Sequence, residues 1–194
     1  MSDFKFKENY KIEDLLEIMA ILRAPGGCPW DAEQTHESIK SNFIEETYEV
    51  IEAINKQDKD LLLEELGDVL LQVVFHTEME KEKGGFTFDD VADGICKKLI
   101  ERHPHVFGDV TVSSTDEVLS NWDTIKRKSK AQKTQGSSML KVPKELPALM
   151  RAQKIQSKAK KAGFDWDDMS GALAALESEI RELKEAIGTK AQKD

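Results

Sequence analysis

Leu61-Leu62-Leu63-Glu64-Glu65-Leu66-Gly67-Asp68-Val69-Leu70-Leu71-Gln72-Val73-Val74-Phe75 is the stretch on which the fold turns. Apolar residues point in nearly every direction around a helix axis here, which predicts a helix covered on most sides, yet Glu65, Asp68 and Gln72 share one narrow strip. A carboxylate set among Leu61, Val69, Leu71 and Phe75 is penalised by several kcal/mol unless it is paired, metal-bound or neutralised. Something cationic must face Asp68. The helix before it contains Asn42-Phe43-Ile44-Glu45-Glu46-Thr47-Tyr48-Glu49-Val50-Ile51-Glu52-Ala53. At about 100° per residue, Glu45, Glu49 and Glu52 stack on one face with Glu46 at its edge, opposite Phe43, Val50, Ile51 and Ile54. Alone, that stripe reads as a solvated face. The short Asn55–Asp60 connection makes the two helices antiparallel neighbours, so Glu46 and Glu49 can face Glu65 and Asp68 across a groove. Converging carboxylates repel each other and suit a hard divalent cation, above all Mg²⁺.

Outward from this pair the chain reads as all-α. Ile12, Leu15, Leu16, Met19 and Leu22 recur at helical spacing. The helix from about Asp60 to Lys83 stops at Gly84-Gly85, Thr87 caps another helix that runs to Arg102 before His103-Pro104, and a further one spans about Ser114 to Lys130. The one strand signal, Asp109-Val110-Thr111-Val112, is too short to weigh against five helices. The Gln, Lys, Gly, Ser and Pro content of residues 131–147 predicts a linker between a domain over 1–130 and a second segment over 148–194. That second segment is helical over Ala148–Ala162 and Ser170–Ile187.

The chain has 194 residues and a net charge of −9, from 37 acids against 28 bases, with 39% hydrophobic residues. That content supports a globular core and argues against disorder. No apolar stretch approaches the ~20 residues of a membrane span. The N-terminus lacks the apolar core of a secretory signal and the only cysteines are Cys28 and Cys96, so the expected compartment is the cytoplasm. Residues 121–161 carry 12 bases and two acids. Lysine-rich helices are commonly solvated faces, and direct nucleic-acid binding is not expected. The histidines and cysteines show no zinc-ligand spacing, and neither a phosphate-binding glycine loop nor a Gly-x-Ser-x-Gly nucleophile turn is present.

Glu45-Glu46-x-x-Glu49 followed by Glu65-x-x-Asp68 resembles the signature of the all-α nucleoside triphosphate pyrophosphohydrolases, and within them the MazG family. Gly27-Cys28-Pro29-Trp30-Asp31, Gly67 and Arg102-His103-Pro104-His105-Val106-Phe107 resemble the same family, so the likeness runs from residue 10 to about 130. Leu149-Met150-Arg151-Ala152-Gln153-Lys154 and Gly163-Phe164-Asp165-Trp166 resemble the opening of a second MazG repeat, without its Glu-x-x-Asp helix. A faint internal echo accompanies this: Cys28-Pro29-Trp30-Asp31 and Phe164-Asp165-Trp166-Asp167 each precede an acidic helix at similar spacing.

The resemblance implies that Glu46, Glu49, Glu65 and Asp68 ligate Mg²⁺ and that Glu45 supports them or orients water. It places phosphate binding on Lys98 and Arg102, which a helical wheel also sets beside Val91 and Ile95 at the rim of the apolar face. It places nucleotide contacts on Asn42 and Trp122; Trp122 also shares a stripe with Val118, Leu119 and Ile125, which suits core packing. Trp30 and Asp31 suit either a helix anchor or substrate contact. The implied activity is Mg²⁺-dependent hydrolysis of nucleoside triphosphates to monophosphate and pyrophosphate, in four-helix units assembled as a homodimer. A non-catalytic dimerisation or regulatory module of the same fold is the alternative, and an enzyme for one specialised nucleotide a third reading.

Overall fold

The computed structural model describes residues 4–129 and 139–190. The chain divides into two compact units, Met1–Val110 and Thr111–Asp194. In the first, α1 spans Ile12–Arg23, α2 Pro29–Glu33, α3 Lys40–Lys56, α4 Lys59–Glu82, α5 Phe88–Arg102 and α6 Pro104–Phe107.

Local chemistry sets these boundaries. Gln57 closes α3 in the left-handed region at φ 56°, and its N–H donates to the Ala53 and Ile54 carbonyls. Asp58 then caps α4 by accepting from the Asp60 and Leu61 N–H groups, each at 3.1 Å. A two-residue turn thus reverses the chain and lays α4 against α3, as the short connection predicts. Gly84, at φ 72°, makes the turn out of α4. Thr87 and Asp90 form a capping box at the start of α5: the Thr87 N–H donates to the Asp90 carboxylate at 2.8 Å, and the Asp90 N–H donates to the Thr87 hydroxyl at 3.3 Å. Gly27 lies so close to the end of α1 that a Cβ there would sit 2.2 Å from the Ile21 carbonyl oxygen. The helices α2 and α6, which the periodicity does not predict, each start with a proline; proline's fixed φ suits that position, and turns this short carry no period to read.

The core of this unit is Met19, Ile39, Val74, Phe75 and Met79, flanked by Ile12, Leu15, Leu16, Leu71 and Phe88. It therefore gathers at the C-terminal half of α4, where α1 and the start of α5 pack. The N-terminal half meets α3, with Ala53 fully buried between them. Within this unit, then, α4 is covered on one side only along its N-terminal half, and the outer face is the one expected to meet a second subunit. Leu63 is 75% exposed and Leu66 51%, because among the described residues of this unit only α3 lies beside that half.

In the second unit, α7 spans Thr115–Ser129, α8 Ala148–Lys161 and α9 Met169–Lys190. Leu173, Leu176, Ile180, Leu183 and Ile187 are all exposed along α9. Residues 109–112 form no strand. Of the expected linker, residues 131–138 lie outside the described residues, as does Lys130, while 139–147 form turns around a buried Val142.

Candidate metal centre

Two helices carrying carboxylates at i, i+3 spacing, joined by a tight reversal, must bring those carboxylates together if the spacings coincide. They do. One carboxylate oxygen from each of Glu46 and Glu49 on α3 and Glu65 on α4 lies within 4.8 Å of the others. Glu65 is buried, Glu46 half-buried and Glu49 exposed. Asp68, half-buried one turn along α4, is close enough for its charge to act on both Glu46 and Glu65. Glu45 is exposed. Glu46, at the edge of the acidic stripe on the wheel, faces α4 together with Glu49, as the short connection between the helices predicts.

The electrostatics are those of an uncompensated acidic site. Burial first, then a hydrogen bond shared with Glu49 and the charges of Asp68, Glu49 and Glu65, push the Glu46 carboxyl above its ordinary range. Burial, followed by the charges of Glu49, Glu64 and Asp68, does the same to Glu65. No ion pair among the described residues involves Glu46, Glu49, Glu65 or Asp68. The cation that the sequence demands opposite Asp68 is not a protein side chain among them.

The donor set fits a hard cation. Oxygens on opposite sides of an ion with metal–oxygen bonds of about 2.1 Å stand about 4.2 Å apart, so small side-chain adjustments would close the 4.8 Å cluster. All its donors are carboxylate oxygens, the preference of Mg²⁺, Ca²⁺ or Mn²⁺ over softer ions.

Other residues singled out in the sequence are placed as follows. Asn42 lies half-buried in the first turn of α3, one turn before Glu46. Lys98 is exposed near the end of α5, and Arg102 is half-buried on its last turn with a buried Nε that donates to no acceptor. Trp122 is half-buried on α7 in the other unit. Trp30 is 59% exposed. The Asp31 backbone carbonyl accepts from the Arg23 guanidinium, which supports the anchoring reading of this segment.

Sequence reasoning missed Gln72 as more than a strip member. It is 6% exposed, and its Oε1 is buried without a hydrogen-bond partner. It also missed the contact of His36 with His76, residues 40 apart whose meeting no local pattern announces.

Residues 34–107 match the MazG nucleotide pyrophosphohydrolase domain. A nucleoside triphosphate pyrophosphohydrolase/pyrophosphatase MazG of Thermotoga maritima is 48% identical over 174 residues, covering 90% of this chain and 66% of that protein. A nucleoside triphosphate pyrophosphohydrolase of Escherichia coli K12 is also 48% identical over 174 residues, covering 89% of this chain and 66% of its own length. The crystal structure of a mazG-related protein from Thermotoga maritima superposes with a TM-score of 0.52 at 27% identity, over 60% of this chain and 99% of that one. The chain belongs to the MazG family. It spans about two-thirds of the length of these two curated relatives.

Proposed function

We propose that the protein is a nucleoside triphosphate pyrophosphohydrolase that cleaves between the α and β phosphates, giving the monophosphate and pyrophosphate. The observation that carries this is the cluster of Glu46, Glu49 and Glu65 within 4.8 Å, with no side-chain cation paired to it. The names of the two relatives support the substrate class.

Glu46, Glu49, Glu65 and Asp68 would hold Mg²⁺. Bound there, it would supply charge neutralisation on the phosphates and a water of lowered pKa. The chain's own groups do the rest. Glu45, exposed beside Glu46, would orient the attacking water. Arg102, whose Nε meets no acceptor among the described residues, would with Lys98 neutralise the departing pyrophosphate. Asn42 contacts the nucleoside. Most of the rate enhancement comes from positioning and fixed charge, because phosphoryl chemistry asks little covalent help of the protein.

The same reading makes the protein a cytoplasmic homodimer, with a domain over 1–130, a linker over 131–147 and an incomplete second MazG-like repeat over 148–194. Among the described residues no helix is long and apolar enough to cross a membrane.

Product analysis tests the activity: nucleoside triphosphates incubated with Mg²⁺ should yield monophosphate and pyrophosphate, and Glu46→Gln and Asp68→Asn should each lower turnover at least about a hundredfold while remaining folded. Diphosphate and inorganic phosphate as products, or turnover untouched in both variants, contradict the assignment. A folded wild-type chain with no turnover supports the regulatory alternative.

A further inference from the structure

On α4, Glu65, Asp68, Gln72 and His76 follow one another at steps of three, four and four, so one face of the helix carries the carboxylates at one end and His76 at the other. At that far end, His36, in the segment leading into α3, meets His76 with ring centroids 5.0 Å apart and planes 6° from parallel. The two Nδ1 atoms lie 2.7 Å apart. The other ring nitrogen of His36, Nε2, lies 2.6 Å from a Glu80 carboxylate oxygen one turn further on. Phe43, in the first turn of α3 and three residues before Glu46, covers His76 at 5.9 Å. Ile39, at the N-cap position of α3, anchors this end of the helix in the core but gives it no side-chain cap.

We propose that His36 and His76 are positioning residues for the acidic groove, a latch that seats the first turn of α3 on α4 and thereby sets where Glu46 stands relative to Glu65. The inference deepens the metal-site reading and rests on it for its consequence, though not for its geometry.

Proton counting defines how the latch works. The Nδ1–Nδ1 contact needs one proton between the rings, and the Glu80 contact needs one on His36 Nε2. The neutral pair meets this with His76 Nδ1–H donating to His36 Nδ1 and His36 Nε2–H donating to Glu80. One added proton is tolerated, since an imidazolium at His36 donates in both directions with His76 as the acceptor. A second puts a donor on each Nδ1 and forces the rings apart. The charged groups that act on the pair are Glu80 and Lys83 on α4, the latter 3.7 Å from Glu80; Glu37, next to His36 in the chain, pairs with Lys40; α1 sends Arg23 to Glu82 instead. Phe43 from α3 adds no charge. Burial and the neighbouring His36 both hold His76 below the usual histidine range, so the second proton arrives only on acidification.

Amide hydrogen exchange on the metal-free full chain tests this without substrate or ion. In wild type, protection of residues 40–46, corrected for intrinsic exchange, should fall about tenfold between about pH 8 and pH 5. His36→Gln keeps the Glu80 contact but loses the one to His76, and should lower protection there about tenfold at every pH while α1 is unchanged. His76→Asn retains a donor at the Nδ1 position that cannot titrate, and should hold protection level across the range. The Mn²⁺ concentration for half-saturation should rise about threefold or more in His36→Gln and recover in His76→Asn. Protection of residues 40–46 that is independent of pH in wild type, or a loss in His36→Gln shared equally by α1, overturns the latch. A wild-type chain that binds no Mn²⁺ but shows the exchange pattern would instead overturn the metal-site reading and leave the latch standing.

Discussion

Gln72 is an amide kept where an apolar side chain would fit more cheaply. A buried acceptor without a partner costs about 1–3 kcal/mol, and Gln72 Oε1 is such an atom, on the same face of α4 as Glu65 and Asp68. Gln72→Met should therefore raise the stability of the metal-free chain by about 1 kcal/mol, read from the urea midpoint at constant slope. A lowered midpoint would show that the amide is satisfied in solution. Glu46 gives a pH-dependent counterpart. Its carboxyl is held above the ordinary range in the folded chain, so the folded state binds the proton more tightly than the unfolded one. Its contribution is unfavourable at neutral pH and is relieved as pH falls through the raised value toward the unfolded one, near 4.3. Without metal, Glu46→Gln should be more stable than wild type at pH 7, and that advantage should vanish by about pH 4. An advantage that persists at pH 4 would mean that packing rather than charge is responsible. The four carboxylates were legible in the sequence because each pair is local to one helix. That Glu46 faces α4 was legible too, because the short connection makes the two helices antiparallel neighbours.

At the scale of elements, Arg23 ties three segments together. Its side chain is 6% exposed. It forms two bonds to the Glu82 carboxylate, at 2.7 and 2.8 Å, donates to the carbonyls of Asp31 and Gln34, and lies over the Phe75 ring at 5.3 Å. It joins the end of α1 to α2 and the end of α4. Glu82 is 37% exposed, which discounts the ion pair, but the two carbonyls would lose a buried donor. Arg23→Met should cost roughly 2 kcal/mol and lower the melting temperature by several degrees. A cost below about 0.5 kcal/mol would show the clamp to be incidental. Because Asp58 caps it, α4 starts one residue earlier than expected, whereas the capped start of α5 was readable from Thr87, because capping is local chemistry. The Arg23 and His36 contacts were not, because they join residues 59 and 40 positions apart that no period links. The cover of α4 was legible only in part: an all-round apolar pattern says that something covers Leu63 and Leu66, not whether the same chain or a second subunit does.

For the whole molecule, that uncovered face is the strongest reason to expect assembly. Ile44, Ile51, Leu63, Leu66 and Leu70 are all exposed on the paired helices that carry the carboxylates, an apolar surface that a second copy with a twofold axis would bury. Sedimentation should show a dimer, and Leu66→Glu should convert it to a monomer of unchanged helical content. A wild-type monomer at high concentration contradicts the homodimer. The central claim, however, is that Glu46, Glu49, Glu65 and Asp68 hold a divalent cation, and it can be measured without substrate. Calorimetric titration of the metal-free chain with Mn²⁺ should show saturable binding to wild type and its loss in both Glu46→Gln and Asp68→Asn, each verified to be folded by circular dichroism. Binding that survives unchanged in both variants, or none in wild type, would contradict it.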